Sequence, residues 1–164
     1  MKLQIVISLI LLAPAMPGKD RPRKNLFEKY SCVEVDRFAP AAGVNLPEAY
    51  QTAIIDDLLH NLQKSRRFKQ AVRAGENRSD PSATCLRVTG VVTKYKAGSR
   101  ALRYAVGFGA GATKVAAQIK YADAASGEVL LEGKASGSVY IGLFGGNSKG
   151  AANGLAKSVL KTVK

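Results

Sequence analysis

His60 is the single histidine of the 164-residue chain, so any chemistry that needs an imidazole depends on it. The apolar residues around it recur at helical spacing and leave His60 about 180° from the apolar side, beside Asp56 and Lys64. That setting is typical of a solvated helix face, with a weak Asp56 to His60 pairing. Since no second ligand or nucleophile has a recognisable setting, His60 predicts neither a catalytic base nor a metal site.

The twelve carboxylates of the chain form no catalytic motif. Asp56 and Asp57 are adjacent, and adjacent residues of a helix do not face each other, so they make a poor acid/base pair. The sequence also contains no G-x-S-x-G, H-E-x-x-H or C-x-x-C pattern. We therefore expect a protein that is not an enzyme.

Two glycine-rich segments are the most distinctive internal feature. Residues 107–112 match the loose dinucleotide pattern G-x-G-x-x-A, but the residues that follow alternate as a strand does. Without a helix N-terminus there is nothing to hold a pyrophosphate. Residues 143–149 lack the Gly-Lys-Ser/Thr ending of a phosphate loop. We expect no nucleotide and no other cofactor.

Three other roles explain the glycines. They permit bends and bulges between strands, or the close approach of Gly146, Gly150 and Gly154 to a neighbouring element. The third role is a lip that contacts a partner or a membrane interface. It predicts a binding set of Arg100, Arg103, Phe108, Phe144, Gly145, Gly146 and Asn147. Replacing the two arginines with alanine should then weaken retention on the partner without unfolding the domain.

Cys32 and Cys85 admit two interpretations. A disulfide between them would close a loop of about 54 residues and contribute about 3–4 kcal/mol in the chain-entropy model. It requires their strands to lie side by side. Otherwise both are small buried apolar residues that never pair. An oxidising compartment favours the bridge.

The first fifteen residues predict that compartment. Lys2 precedes an apolar run over residues 5–12, and Ala-Pro-Ala at 13–15 suits signal peptidase, with cleavage after Ala15. The run is shorter than the roughly 20 residues of a membrane-spanning helix. No cysteine lies near the cleavage site, so a lipid anchor is not expected. The sequence predicts a periplasmic or secreted protein that does not span the membrane.

The chain is strongly basic. Removing residues 1–15 takes away one lysine and no acid, which lowers the formal charge from +13 to +12. Residues 64–103 hold eleven lysines or arginines against Glu76 and Asp80. Such a field attracts polyanions, and outside the cytoplasm these are anionic lipids, lipopolysaccharide or acidic wall polymers rather than nucleic acid. The alternative is that the charge serves solubility.

The elements that position these residues follow from periodicity. Residues 16–30 read as a flexible basic leader, followed by one domain over residues 31–164. Residues 32–38 alternate as a half-buried strand, with Val33 and Glu34 on opposite faces. Asn45 and Glu48 form a capping-box pattern ahead of a helix that ends near residue 64.

That helix carries one apolar stripe, formed by Tyr50, Ile54, Ile55, Leu58, Leu59 and Leu62. Strands are predicted over 68–74, 84–96 and 114–121, with a hairpin partner over 128–141. A final helix opens at residues 145–147 and repeats apolar residues every fourth position from Ala151 to Val163. The order predicts an α+β fold: a mainly antiparallel sheet of about five strands with two helices on one face.

Several segments resemble one bacterial family. The Gly-Phe-Gly-Ala-Gly run at 107–111 is the most specific, and the others are residues 90–95, 98–104, 123–130 and 144–146. Over about residues 33–163 the chain resembles the domain of unknown function 4410 family. The resemblance implies an exported or lipid-anchored envelope protein, and so a location rather than a reaction. This chain differs from the lipoprotein members because no cysteine follows its signal segment.

Three functions remain open from the sequence. The leading hypothesis is a non-enzymatic exported domain that binds a protein partner or an anionic envelope surface. The second is a small-molecule-binding or enzymatic domain with a pocket beside the glycine-rich loops. The third is a structural subunit of a homo-oligomeric envelope assembly.

Overall fold

Five strands and two helices make up residues 26–99, 112–138 and 149–163, which are the residues that the computed structural model describes. The elements, in chain order, are β1 (Cys32–Pro40), α1 (Glu48–Lys64), β2 (Gln70–Arg73), β3 (Cys85–Lys96), β4 (Lys114–Asp123), β5 (Val129–Ser138) and α2 (Lys149–Val163). Each strand and helix expected from periodicity is present, with ends that differ by a few residues.

The strands form one sheet in the order β2-β1-β3-β4-β5. β1 is parallel to both of its neighbours. α1 carries the chain back to the starting end of the sheet before β2, and residues 74–84 carry it back again before β3. β3, β4 and β5 form an antiparallel meander. The predicted α+β class is confirmed: the sheet is mixed, mostly antiparallel, and accompanied by two helices.

The core lies between the helices and one face of the sheet. α1 packs on β1 and β2, α2 packs on β4 and β5, and the two helices contact each other. Tyr50, Ile54, Leu58 and Leu62 of the predicted stripe are buried, whereas Ile55 and Leu59 are partly exposed. The largest fully buried sheet side chains are Val33, Val35, Phe38, Leu86, Val88, Ile119 and Tyr121.

A glycine lets α2 approach the sheet closely. A Cβ atom added to Gly137 of β5 would lie 2.9 Å from the carbonyl carbon of Gly154 and would overlap the backbone of Ala151 and Leu155. Gly154 thus takes part in the close packing predicted for it, while Gly150 is exposed and Gly146 lies outside the described residues. Any larger residue at position 137 would have to displace the helix.

The two cysteines form a disulfide bond. Cys32 of β1 and Cys85 of β3 are register partners in the parallel pair, with their Cα atoms 4.3 Å apart. Both side chains are buried, and they lie on the same side of the sheet as Glu34 and Arg87, opposite the core-facing Val33 and Leu86. The pairing of β1 with β3 therefore brings the two cysteines together, which the sequence left as one of two alternatives.

Two predicted boundaries are wrong. The helix begins at Glu48 with Pro47 at its N-cap and has no side-chain capping bond, so Asn45 does not cap it. The leader was predicted to run to residue 30, yet Phe27 is 2% exposed and Tyr30 is 1% exposed. Apolar packing holds this segment against the domain, which therefore begins before residue 31.

Residues 1–25 lie outside the described residues, and with them the predicted export segment, its cleavage after Ala15 and most of the leader. Within the described ranges, neither helix is long and apolar enough to cross a bilayer.

Candidate functional site

The predicted binding residues fall between described segments. Arg100, Arg103 and Phe108 belong to residues 100–111, and residues 144–147 belong to 139–148; both stretches lie outside the described residues. Their points of attachment are visible, because Lys114 at the start of β4 pairs with Lys96 of β3 and with Ser138 of β5. Both stretches therefore leave the sheet from the same end.

The face of the sheet opposite the helices is rich in lysine. In β4, Val115, Ala117, Ile119 and Tyr121 are buried toward the helices, which turns the residues between them to the other side. The lysines of this open face are Lys94 and Lys96 on β3, Lys114 and Lys120 on β4, and Lys134 on β5, and all five are exposed. We call them the lysine face.

A β-bulge decides which side two of these lysines occupy. Val88 and Val92 point into the core, so an unbroken β3 would turn Lys94 and Lys96 inward as well. The register shifts between Val92 and Lys94, which inserts one extra residue, Thr93. The shift exposes both lysines and brings the following Tyr95 against the core.

Tyr95 illustrates the inner side of the same bulge. Its ring packs against that of Tyr50 on α1, with centroids 4.8 Å apart. Burial raises the pKa of Tyr50 to about 12, and the neighbouring Tyr95 adds to that shift. The bulge was not predicted from the sequence, although Lys94 and Lys96, in phase with the buried Val88 and Val92, were a signal for it.

The charges of the lysine face are largely uncompensated. Lys120 forms an ion pair of 3.4 Å with Glu132, but no described carboxylate forms an ion pair with Lys94, Lys96, Lys114 or Lys134. Lys96 and Lys114 are directly opposite each other on adjacent strands. Like charges at such a position destabilise a sheet. An anion bound between them would relieve that repulsion.

A shallow, open groove of about 470 Å³ crosses the lysine face. Four of its lining residues have polar side chains, namely Thr93, Gln118, Lys134 and Ser136, and the other three are the small apolar residues Ala116, Ala117 and Ala135. The groove therefore offers hydrogen-bond donors and acceptors together with positive charge.

The rest of the open face, around β1 and the start of β3, carries charges that pair with each other. Glu34 is 3% exposed, and one of its oxygens accepts hydrogen bonds from Nε and Nη2 of Arg87 at 3.2 and 3.0 Å. Its other oxygen accepts a bond from Arg78, which reaches over from the loop between β2 and β3. The expectation of a solvent-facing Glu34 is wrong, because two guanidinium groups and that loop cover it.

Asp123 has a structural role at the β4–β5 turn. It accepts hydrogen bonds from the backbone N–H groups of Ser126 and Ala125, at 3.1 and 3.0 Å, and from the Tyr30 hydroxyl at 2.9 Å. The Ser126 bond, followed by the Tyr30 bond, holds the pKa of Asp123 well below its usual range. The contact fastens residues 29–30 to the sheet.

His60 is exposed on α1, and its predicted partner Asp56 is paired instead with Arg73 of β2. Within the described ranges, no group of three or more histidines, cysteines or carboxylates is arranged to hold a metal ion.

Solved structures share this fold at low sequence identity. The PelC dodecamer of Paraburkholderia phytofirmans, in space group P6, matches with 15% identity and a TM-score of 0.59 over 83% of this chain and 90% of that chain. A variant PelC dodecamer in space group C2 matches with 17% identity and a TM-score of 0.55, over 82% and 87%. A lipoprotein of Caulobacter crescentus, titled putative, matches with 15% identity and a TM-score of 0.49, over 86% and 95%.

Among curated proteins, none is significantly similar to this chain. A family model does match, over residues 39–143, which is well over half of the chain. The matched stretch contains β3, β4, β5 and the Gly-Phe-Gly-Ala-Gly run on which the resemblance rested. The chain therefore belongs to the family described as Domain of unknown function (DUF4410).

Proposed function

We propose that this protein is a non-enzymatic, exported domain that binds an anionic polymer or surface of the cell envelope through its lysine face. The supporting observation is the charge of that face: of its five lysines, four have no acidic partner among the described residues. Uncompensated positive charge on one face attracts polyanions at long range and holds them by releasing counter-ions.

The disulfide supports the proposed location. Disulfides persist in oxidising compartments and are rare in the cytosol, and this one joins two strands in the middle of the sheet. An apolar segment followed by Ala-Pro-Ala at the start of the chain agrees with export. The partners available there are acidic glycans and lipid headgroups rather than nucleic acid.

The test measures binding of the protein to immobilised dextran sulfate at rising salt. Replacing Lys96 and Lys114 with glutamine should weaken binding about ten- to thirtyfold at low salt, since each lysine near an anionic surface contributes about 1 kcal/mol. The wild-type affinity should fall steeply as the Debye length shortens to about 10 Å at 0.1 M salt.

A matched control separates location from net charge. Lys157 and Lys161 are exposed on α2, on the opposite side of the molecule from the lysine face, so their replacement with glutamine removes the same charge elsewhere. Equal weakening by both pairs would mean that general charge, not the lysine face, causes binding, and the proposal would fail.

A second candidate function is that of a subunit in a homo-oligomeric envelope assembly. The observation that favours it is the fold shared with PelC of Paraburkholderia phytofirmans, which forms a dodecamer. β2 and β5 are the edge strands of the described sheet, and edge strands offer backbone groups for pairing. Light scattering on the purified protein tests this function, which predicts a mass many times that of one chain; a monomer at all concentrations would exclude it.

A further inference from the structure

We propose that the groove on the lysine face binds a sugar unit of an acidic polysaccharide, whose carboxylates lie on the neighbouring lysines. This inference rests on the proposed function and narrows its ligand from anions in general to a hydroxyl-rich acidic chain. It depends on three features of the described residues: a like-charge pair, a polar groove next to it, and the scarcity of exposed apolar groups.

The like-charge pair is the first feature. Lys96 and Lys114 are direct cross-strand partners, which places their Cβ atoms about 4.5–5.5 Å apart. A carboxylate between their ammonium groups accepts a charge-assisted hydrogen bond from each. The two lysines thus form a binding site for one acidic group. In the isolated domain their positive charges have no described acidic partner.

The groove lies immediately beside this pair. Lys114 and Ala116 are two residues apart along β4, which corresponds to about 7 Å. Ala116 lines the groove and is paired with Lys94 on one side and with Ser136 on the other. A polysaccharide that runs along β4 from the lysine pair therefore passes over Ala116 and through the groove.

The lining suits a sugar. Ser136 and Gln118 carry hydroxyl and amide groups that donate and accept hydrogen bonds, as sugar hydroxyls require. The Thr93 hydroxyl donates to the backbone oxygen of Ala116 at 3.4 Å and so offers a sugar an acceptor. Lys134 lies at the same groove and supplies a second positive charge for a second acidic group.

Other occupants fit the face less well. The large apolar residues exposed in the described part of the chain are Val91 and Val129, which give little surface for insertion into lipid. A nucleic acid is also a poor fit, because Tyr95 of β3 and Tyr121 of β4 lie on the helix side of the sheet and cannot stack on its bases. A second copy docked face to face would set lysines against lysines.

The experiment measures binding of oligogalacturonates, inorganic polyphosphate and phosphatidylglycerol vesicles by calorimetry, all at equal salt. Ala116→Leu fills the groove without changing the charge. We expect it to weaken oligogalacturonate binding at least tenfold and to leave polyphosphate binding within twofold. Ala122→Leu is the control, since Ala122 is on the same face of the same strand and outside the groove lining.

Gln118→Ala is a second groove variant, which removes the amide without adding bulk. It should weaken oligogalacturonate binding severalfold and leave polyphosphate binding unchanged. Thermal unfolding of each variant identifies any that misfolds, and the other variant then provides the test.

The outcomes separate this inference from the proposed function. If both groove variants bind oligogalacturonate like the wild type while the Lys96→Gln, Lys114→Gln pair fails to bind, the groove is excluded and the lysine face survives. Preference of the wild-type protein for vesicles or polyphosphate over oligogalacturonates of equal charge would show that a membrane or a phosphate chain, not a sugar, is recognised. Undiminished binding of every ligand by the lysine variant would overturn both proposals.

Discussion

The two halves of the open sheet face treat charge in opposite ways. Around β1 and the start of β3, Glu34 is buried between two arginines, next to a disulfide and under a loop. Around the end of β3, β4 and β5, lysines face solvent, and two of them oppose each other directly. We call these the closed half and the lysine half. The difference shows that basic residues indicate an anion-binding surface only where no acidic side chain of the protein pairs with them.

The closed half should be the part on which folding stability depends. Replacing Cys32 and Cys85 together with alanine removes a cross-link between residues 53 positions apart, which should cost about 4 kcal/mol in the chain-entropy model. Urea unfolding of the variant and of the oxidised wild type measures the difference. Binding to dextran sulfate at temperatures where the variant is folded should be unchanged; a loss there would join the two halves functionally and break the comparison.

Glu34→Gln should give the next largest effect. It removes the charge that compensates Arg78 and Arg87, and breaking a buried ion pair costs about 3 kcal/mol. Glu132→Gln is the control, because its pair with Lys120 is exposed and worth about 0–1 kcal/mol. Similar free energies of unfolding for the two variants would mean that burial of Glu34 adds nothing to its pairing.

Substitutions in the lysine half should raise folding stability and weaken binding. Replacing Lys96 and Lys114 with glutamine removes a like-charge cross-strand pair, so the free energy of unfolding should rise by about 0.2–1 kcal/mol while polyanion binding falls. Urea unfolding at low salt measures the first change, and the binding assay the second. A destabilised variant would assign these lysines a structural role and erase the contrast between the halves.

Acid should give the smallest effect, and we expect to see it at the turn contact of Asp123. Its pKa is lowered in the fold below the ordinary value of 3.8, so the stability that it contributes is present above that pH and is lost as the pH falls below it. Asp123→Asn should lower stability at neutral pH and flatten the acid limb, which unfolding from pH 6 to 2 measures. Because Asp123 lies outside the lysine face, Asp123→Asn should leave binding to dextran sulfate unchanged; a loss of binding would show that the turn supports the lysine half and would contradict the contrast between the halves.

Local pattern predicted the elements well, because side-chain periodicity depends only on near neighbours. Four of the six stripe residues of α1 are buried, and in β4 the alternate residues from Val115 to Tyr121 are buried as expected. Two errors arose where a distant contact overrides the local pattern: Phe27 packs against Tyr121, and Glu34 is covered by Arg78. Neither partner is near in sequence.

The binding surface was less predictable. The arginines and glycines singled out in residues 100–111 and 144–147 remain a prediction, since they lie outside the described residues. The lysine face was missed because five separate lysines on three strands become one surface only after the strands pair. Lys94 and Lys96 also needed the bulge at Thr93 to turn them outward.

The α+β class, the approximate positions of the helices and strands, the basic charge and the family can all be inferred from the amino-acid sequence. Which strands are neighbours is visible only in the folded chain, and with it the meeting of the cysteines, the enclosure of Glu34 and the common face of lysines from three strands. The physical reason is the range of the interactions. Periodicity is a property of consecutive residues, whereas strand order, register and bulges arise from contacts between residues far apart in the chain.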